Sequence, residues 1–63
     1  MPIVTVSGPA LDLARKRDLA RDLTQAAAKA FDRPPEQIIV LIQENPPENV
    51  AIGGTLVADR RGA

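Results

Sequence analysis

The sequence contains no cysteine, histidine, tryptophan or tyrosine, and Phe31 is its single aromatic residue. Without cysteine there is no disulfide and no thiolate metal site, and without histidine the commonest metal ligand and general base is missing. Ser-His-Asp and Cys-His catalytic arrangements are thereby excluded. The net charge is zero, so the chain lacks the excess of basic residues that nucleic-acid-binding proteins use. The single aromatic residue also leaves too few side chains for base stacking. We expect no metal and no nucleic-acid partner.

Long apolar runs are also missing. None approaches the roughly 20 residues that a bilayer span requires, and the amino terminus lacks the basic-then-apolar order of a signal peptide. We therefore expect no membrane partner and a cytoplasmic location. The 63 residues predict a single domain, 1–63. A fold this small needs a disulfide, a metal or oligomerisation to be stable, and the composition leaves oligomerisation.

The amino-terminal half predicts a strand followed by a long helix. In "PIVTVSG" (Pro2–Gly8) the residues Val4 and Val6 alternate with polar ones, which is typical of a strand. Asp12 is then a suitable N-cap for a helix that continues to Phe31. Apolar residues at helical spacing predict one buried stripe, formed by Leu19, Leu23, Ala26, Ala27, Ala30 and Phe31.

The second half predicts a buried strand and a hairpin. "IIVLI" (Ile38–Ile42) is a continuous apolar run, as in strands that are covered on both faces. Gly53-Gly54 between two short apolar segments indicates a two-residue hairpin. We predict an α/β fold: a βαβ unit with two parallel strands, a crossover helix and a C-terminal β-hairpin. One helix covers only one face of the sheet, so the other face and the hairpin should contact further copies of the chain.

Pro2 is the residue with the clearest chemical potential. If Met1 is removed, Pro2 becomes a free secondary amine, and an unperturbed α-amino group titrates near pH 7.7–8.0. Burial lowers that pKa further, which suits a general base working near neutrality. The alternative is that Pro2 only begins an edge strand, where a missing backbone donor matters least. No spacing of the carboxylates suggests a metal site.

The chain resembles a known family in "MPIVTV" and in "VLIQENPPENVAIGGTL". These segments and their separation are similar to the 4-oxalocrotonate tautomerase (2-hydroxymuconate tautomerase) family, and "VSGPALDLARKR" looks most like its DmpI-type branch. The resemblance implies a tautomerase/MIF-like fold, no cofactor, and self-association as a homohexamer (a trimer of dimers). It also implies that Pro2 moves a proton in an enol or dienol acid of aromatic catabolism.

The sequence departs from the better-known members at three positions that the resemblance places in the substrate site. Those members have an arginine between the first strand and the helix, where this chain has the uncharged segment Gly8–Leu11 followed by Asp12. They have a second arginine where this chain has Ile39, and an aromatic residue where it has Val50. Ile39 and Val50 are thus expected at the substrate.

A replacement for the missing arginines is expected in the segment Arg15–Arg17. Cations near the start of a helix oppose its dipole, which indicates another use for them. We hypothesise that Arg15 and Arg17, with Lys16 between them, bind the substrate carboxylate. Other cations that could reach the site from a neighbouring subunit are Arg33, Arg60 and Arg61.

The resemblance therefore predicts a cofactor-independent tautomerase for a 2-hydroxy-2,4-dienoate or a related enol/keto acid, with Pro2 as general base and general acid. Two alternatives stay open. One is another Pro-dependent activity, such as a phenylpyruvate tautomerase, a dehalogenase or a decarboxylase. The other is a non-catalytic assembly subunit, which the absent arginines favour and the intact Met-Pro start opposes.

Overall fold

The computed structural model describes residues 1–60 as a strand, a helix, a second strand and a hairpin. The regular elements, in chain order, are β1 (Ile3–Gly8), α1 (Leu13–Phe31), β2 (Ile39–Glu44), β3 (Ala51–Ile52) and β4 (Thr55–Leu56). Short 3₁₀ turns occupy Pro35–Gln37, Pro47–Asn49 and Val57–Arg60. The predicted α/β order is confirmed.

β1 and β2 are parallel, with Ile3 opposite Ile39 at one end and Gly8 opposite Glu44 at the other. β1 begins one residue later than predicted. β2 also begins one residue later, at Ile39, and extends two residues beyond Ile42. The extension follows from pairing, because the N–H of Asn45 still donates to the Gly8 carbonyl at 2.8 Å. Polar side chains at the end of a strand do not prevent its backbone from completing the ladder.

α1 begins and ends where the sequence predicts. The side chain of Asp12 accepts a hydrogen bond of 2.8 Å from the Arg15 N–H, which satisfies one of the free donors in the first turn. At the other end Asp32 adopts a left-handed conformation with φ of 54°, and Pro34 disfavours helical geometry at Arg33. No helix within residues 1–60 is long and apolar enough to cross a membrane.

The predicted stripe on α1 is only partly correct. Leu19 and Leu23 are half-buried and Ala27 is buried, whereas Ala26 and Ala30 are exposed. Phe31 is also exposed, at 60% of its surface. A two-stranded sheet is narrow, because neighbouring strands lie only about 4.8 Å apart. It therefore covers a thinner strip of the helix than the apolar pattern would allow.

The two faces of the β1–β2 sheet differ. Val4 and Val40 are half-buried on the face that α1 covers. On the opposite face Ile3 is 60% and Leu41 52% exposed. The β3–β4 hairpin forms a separate sheet that does not pair with β1 or β2. Its pairing with a neighbouring copy stays a prediction.

The described chain lacks a closed core. Ala27, at 7% exposure, is its single buried hydrophobic residue. The radius of gyration is 15.3 Å, against about 11 Å for a compact domain of this length. The accessible surface is 4973 Å², whereas a compact monomer of this mass exposes roughly 3,900 Å². Residues 1–60 of one copy therefore leave apolar surface exposed.

Candidate active site

Pro2 lies immediately before β1, at the end of the sheet where β2 begins. Its carbonyl accepts a hydrogen bond of 3.0 Å from the Ile39 N–H, and its ring is half-buried. Met1 precedes it and is 84% exposed. In this form the Pro2 nitrogen belongs to a peptide bond, so a role as a base requires removal of Met1. The structure thus brings together two of the expected site residues, Pro2 and Ile39.

The segment Arg15–Arg17 lies at the other end of β1. β1 spans six residues, and at about 3.3 Å per residue this places the start of α1 roughly 20 Å from Pro2. Within one chain, then, Arg15 and Arg17 do not meet Pro2. Arg15 makes a long contact of 3.9 Å with Asp12, and Arg17 has no carboxylate within 4.0 Å among residues 1–60.

A groove of about 410 Å³ opens at the end of the sheet where α1 begins. Its walls come from the β1–α1 loop, the segment after β2 and the end of the hairpin. The lining residues are Gly8, Pro9, Ala10, Asn45, Pro46, Pro47, Val50 and Val57. None of them carries a charge, so the groove offers apolar contact and a single amide side chain. Its volume lies within the range of about 300–1,000 Å³ that is usual for small-molecule sites.

Hydrogen bonds hold the walls of the groove. The Asn45 side-chain amide donates to the Ser7 hydroxyl at 2.6 Å. The Val57 N–H donates to the Val50 carbonyl at 2.7 Å, which closes the base of the hairpin. The hairpin turn itself needs glycine, because Gly53 and Gly54 both have positive φ.

Glu44, the last residue of β2, contacts the β1–α1 loop and α1 together. Its Oε2 lies 2.8 Å from the Lys16 ammonium and accepts a 2.9 Å hydrogen bond from the Leu11 N–H. The Lys16 ammonium, and next the Leu11 N–H, hold the pKa of Glu44 below its usual range. Glu44 does not stand out from the other carboxylates in the sequence. The signal was its place at the end of a parallel strand, opposite Gly8, where a loop and a helix begin.

Among residues 1–60 the other cations and carboxylates form no further site. Arg60 makes a weak 3.5 Å hydrogen bond from Nη2 to the Ile52 carbonyl, and Arg33 is exposed. Arg61 lies outside the described residues. Within residues 1–60 no group of three or more carboxylates could hold a metal ion.

A sequence model described as "Tautomerase enzyme" matches residues 2–60 of the chain. The chain belongs to the tautomerase family. The match spans β1 through the hairpin, and so it includes both Pro2 and the groove. None of the functionally curated proteins matches this chain significantly.

Solved structures agree with this assignment. DmpI from Archaeoglobus fulgidus is 43% identical over 92% of this chain and 100% of its own chain, with a TM-score of 0.83. A 4-oxalocrotonate tautomerase homologue is 30% identical over 98% and 100% of the two chains, with a TM-score of 0.88. A heterohexamer 4-oxalocrotonate tautomerase from Chloroflexus aurantiacus is 34% identical over 97% and 98%, with a TM-score of 0.78. The resemblance to this family and to DmpI is confirmed.

The expected site positions are divided between the two ends of the β1–β2 sheet. Pro2 and Ile39 are hydrogen-bonded at one end. Val50 lines the groove at the other end, together with Ala10 of the loop in which better-known members carry an arginine. Strand length keeps these halves roughly 20 Å apart. A single copy therefore cannot bring all of the expected site residues around one substrate.

Proposed function

We propose that this tautomerase is a cofactor-independent isomerase in which Pro2, freed by removal of Met1, transfers a proton within an enol or keto acid. The observation that carries the proposal is the placement of Pro2 in a chain of this family. The Ile39–Pro2 hydrogen bond fixes the residue at the strand end, while exposed Met1 remains accessible to an aminopeptidase.

The chemistry follows from the amine. The lone pair of the neutral Pro2 nitrogen removes the proton from the enol hydroxyl of a 2-hydroxy-2,4-dienoate. The protonated amine then returns a proton to a carbon of the same substrate, which leaves the keto acid and the neutral amine. An α-amino pKa near 7.7–8.0 leaves part of the population neutral at pH 7. The fixed φ of proline directs the lone pair.

We infer that the site forms between copies, as a homohexamer (a trimer of dimers). One copy supplies Pro2 and Ile39, and another supplies the groove that contains Val50. Support comes from the exposed apolar face of the sheet, represented by Ile3 and Leu41, and from the missing core. Burial of each such side chain stabilises an interface by about 1.5–3 kcal/mol.

Arg17 and Arg15 are our proposed partners for the substrate carboxylate. They lie beside the groove end of the sheet, so they reach a substrate only where a groove of one copy meets Pro2 of another. Lys16 is less available, because it is paired with Glu44 at 2.8 Å. The contact of Arg15 with Asp12 is long and exposed, and such pairs contribute little. Arg17 is the less engaged of the two arginines.

The arginines have a specific test. We expect Arg15→Ala with Arg17→Ala to raise the KM for 2-hydroxymuconate about tenfold or more, because a charge-assisted contact is lost. Arg21→Ala, on the same helix but paired with Asp18, is the matched control. An unchanged KM in the double variant would remove both arginines from the proposed site.

One assay tests the function itself. We expect the purified chain to convert 2-hydroxymuconate or phenylenolpyruvate to the keto form, and Pro2→Ala to lose most of that rate. Pro35→Ala, which removes an exposed proline from the turn Pro35–Gln37, is the control and should retain it. Mass spectrometry must show that Met1 is absent. An inactive wild type without Met1, or a fully active Pro2→Ala variant, would contradict the proposal.

The second candidate is a non-catalytic subunit of a mixed assembly. The uncharged groove supports it, and so does the 34% identical relative, which is a heterohexamer. A wild type that is inactive alone but assembles with a second tautomerase chain into an active complex would favour this candidate. Other Pro-dependent reactions, a cytoplasmic location and a place in aromatic catabolism stay predictions.

A further inference from the structure

The β1–α1 loop is attached to the rest of the fold at one point. Residues 9–11 connect the end of β1 to the N-cap of α1. The single hydrogen bond described from this segment to another element is the one from the Leu11 N–H to Glu44 Oε2, at 2.9 Å. Pro9 has no N–H to donate. The position of the loop over the groove therefore depends on one carboxylate oxygen.

Lys16 holds the same oxygen. Its ammonium lies 2.8 Å from Glu44 Oε2, on the first turns of α1, whereas Glu44 belongs to β2. The two side chains are only 32% and 35% exposed, so the contact is partly shielded from solvent. Because both donors share one acceptor atom, Lys16 fixes the rotamer from which Glu44 accepts the Leu11 bond. The three groups thus join the sheet, the loop and the helix.

We propose that Glu44 is a positioning residue which, together with Lys16, holds residues 9–11 as one wall of the apolar groove. Pro9 and Ala10 of this segment line the groove directly, and neither makes a polar contact of its own. The kinetic part of this inference rests on the function proposed above, whereas the structural part does not.

The Glu44 contact affects the position of residues 9–11 more than the free energy of unfolding. Ion pairs with this degree of exposure contribute little to unfolding free energy. The single hydrogen bond from Leu11 to Glu44, in contrast, determines how often the loop leaves its position, because local opening occurs independently of global unfolding. Amide exchange at Leu11 measures that opening directly.

The structural test is hydrogen exchange at the Leu11 amide in the assembled protein. We expect Glu44→Ala to accelerate exchange at least tenfold. Lys16→Met should accelerate it at least threefold, although Lys16 does not touch Leu11, and Lys16→Arg should restore wild-type exchange. Glu36→Gln, an exposed glutamate in another turn, is the matched control. Unchanged exchange in either Glu44→Ala or Lys16→Met would overturn the proposal.

A charge-swapped double variant tests whether the hydrogen bond to Leu11 or the Lys16–Glu44 ion pair positions the loop. In the double variant Lys16→Glu with Glu44→Lys the opposite charges remain, but an ammonium cannot accept the Leu11 bond. We expect the Leu11 amide to exchange as fast as in Glu44→Ala, while the melting temperature stays near that of the wild type. Slow exchange in this variant would show that the ion pair alone positions the loop, contrary to the proposal.

The kinetic test uses phenylenolpyruvate, whose apolar ring suits an uncharged groove. We expect Lys16→Met and Glu44→Ala to raise KM at least threefold with kcat within twofold of wild type, because Pro2 lies at the other end of the sheet. A merely structural role would leave the KM of the folded fraction unchanged, and that result would overturn the link to the site. If the wild type is inactive, the proposed function fails, while Leu11 exchange still decides the positioning role.

Discussion

The two ends of the β1–β2 sheet differ in the contacts that their residues make within one copy. At the Pro2 end one hydrogen bond to Ile39 closes the sheet, and the side chain of Ile3 beside it is mostly exposed. At the Glu44 end, polar atoms are paired within the chain, through Leu11, Lys16 and the amide of Asn45. Directional polar contacts are completed within one copy at the Glu44 end, whereas apolar side chains at the Pro2 end remain exposed. The two ends thus differ in what one copy leaves exposed: apolar side chains at the Pro2 end, and an uncharged groove at the Glu44 end.

The largest expected effect is at the Pro2 end. Insertion of one alanine between Met1 and Pro2 turns the Pro2 nitrogen into an amide without changing its side chain. We expect the rate on 2-hydroxymuconate to fall at least about 100-fold, the usual contribution of a positioned general base. This is a sharper test than Pro2→Ala, which leaves a primary amine.

The matched control for the insertion is one alanine added after the last residue. Mass spectrometry should confirm the amino terminus of each protein, and circular dichroism should confirm its fold. Retained activity in the inserted variant would show that the Pro2 amine is not the base.

The next effect concerns the uncovered face of the sheet. We expect Leu41→Lys to dissociate the assembly, because an ammonium replaces an apolar contact worth about 1.5–3 kcal/mol in each copy. Gln43→Lys, two residues along the same strand and already polar, should remain assembled. Analytical ultracentrifugation measures the difference, and an unaltered oligomer in Leu41→Lys would place the interface elsewhere.

The hairpin should give a smaller effect. A Cβ added at Gly54 meets no atom within 4 Å, but its φ of 86° strains any other residue. We expect Gly54→Ala to lower the free energy of unfolding by about 1–2 kcal/mol. Gly8→Ala also meets no atom and has no positive φ, so it should cost little. Urea denaturation at one protein concentration compares them, and equal losses would refute backbone strain as the cause.

The smallest effect is the acid sensitivity of the Glu44 end. Because its pKa is lowered in the folded protein, the Glu44 contact stabilises the fold above the unfolded range, near pH 4.3, and is lost as pH falls through the lower folded value. The stability difference between wild type and Glu44→Gln should be present at pH 7 and shrink below about pH 4. Glu48→Gln is the control, and a difference that grows in acid would contradict this sign.

Much of the fold could be predicted because its signals are local. Asp12 as the cap, Pro34 as the stop and Gly53-Gly54 as the turn each act through neighbouring backbone atoms. The alternation of apolar and polar residues predicted the first strand, and the continuous apolar run predicted the second. The stripe on α1 was predicted less well, because the exposure of Phe31 depends on the width of the sheet beneath it. Nothing in the helix alone reports that width.

The candidate site was predictable in its parts but not in its arrangement. Pro2 stood out because it is a potential amine in a chain without histidine, and Ile39 and Val50 followed from the resemblance. That Pro2 and Val50 lie at opposite ends of a sheet depends on the parallel register. Glu44 was missed for a similar reason, since its partners Leu11 and Lys16 are far away in sequence.

The amino-acid sequence by itself determined the order of elements, the family and the chemical potential of Pro2. These depend on residue type, short-range periodicity and motif spacing. Only the tertiary structure decided that residues 1–60 form no closed core, that the expected site is divided, and that Glu44 holds the loop beside the groove. Each of these depends on which distant residues come within a few ångströms, and parallel pairing of β1 with β2 sets those distances.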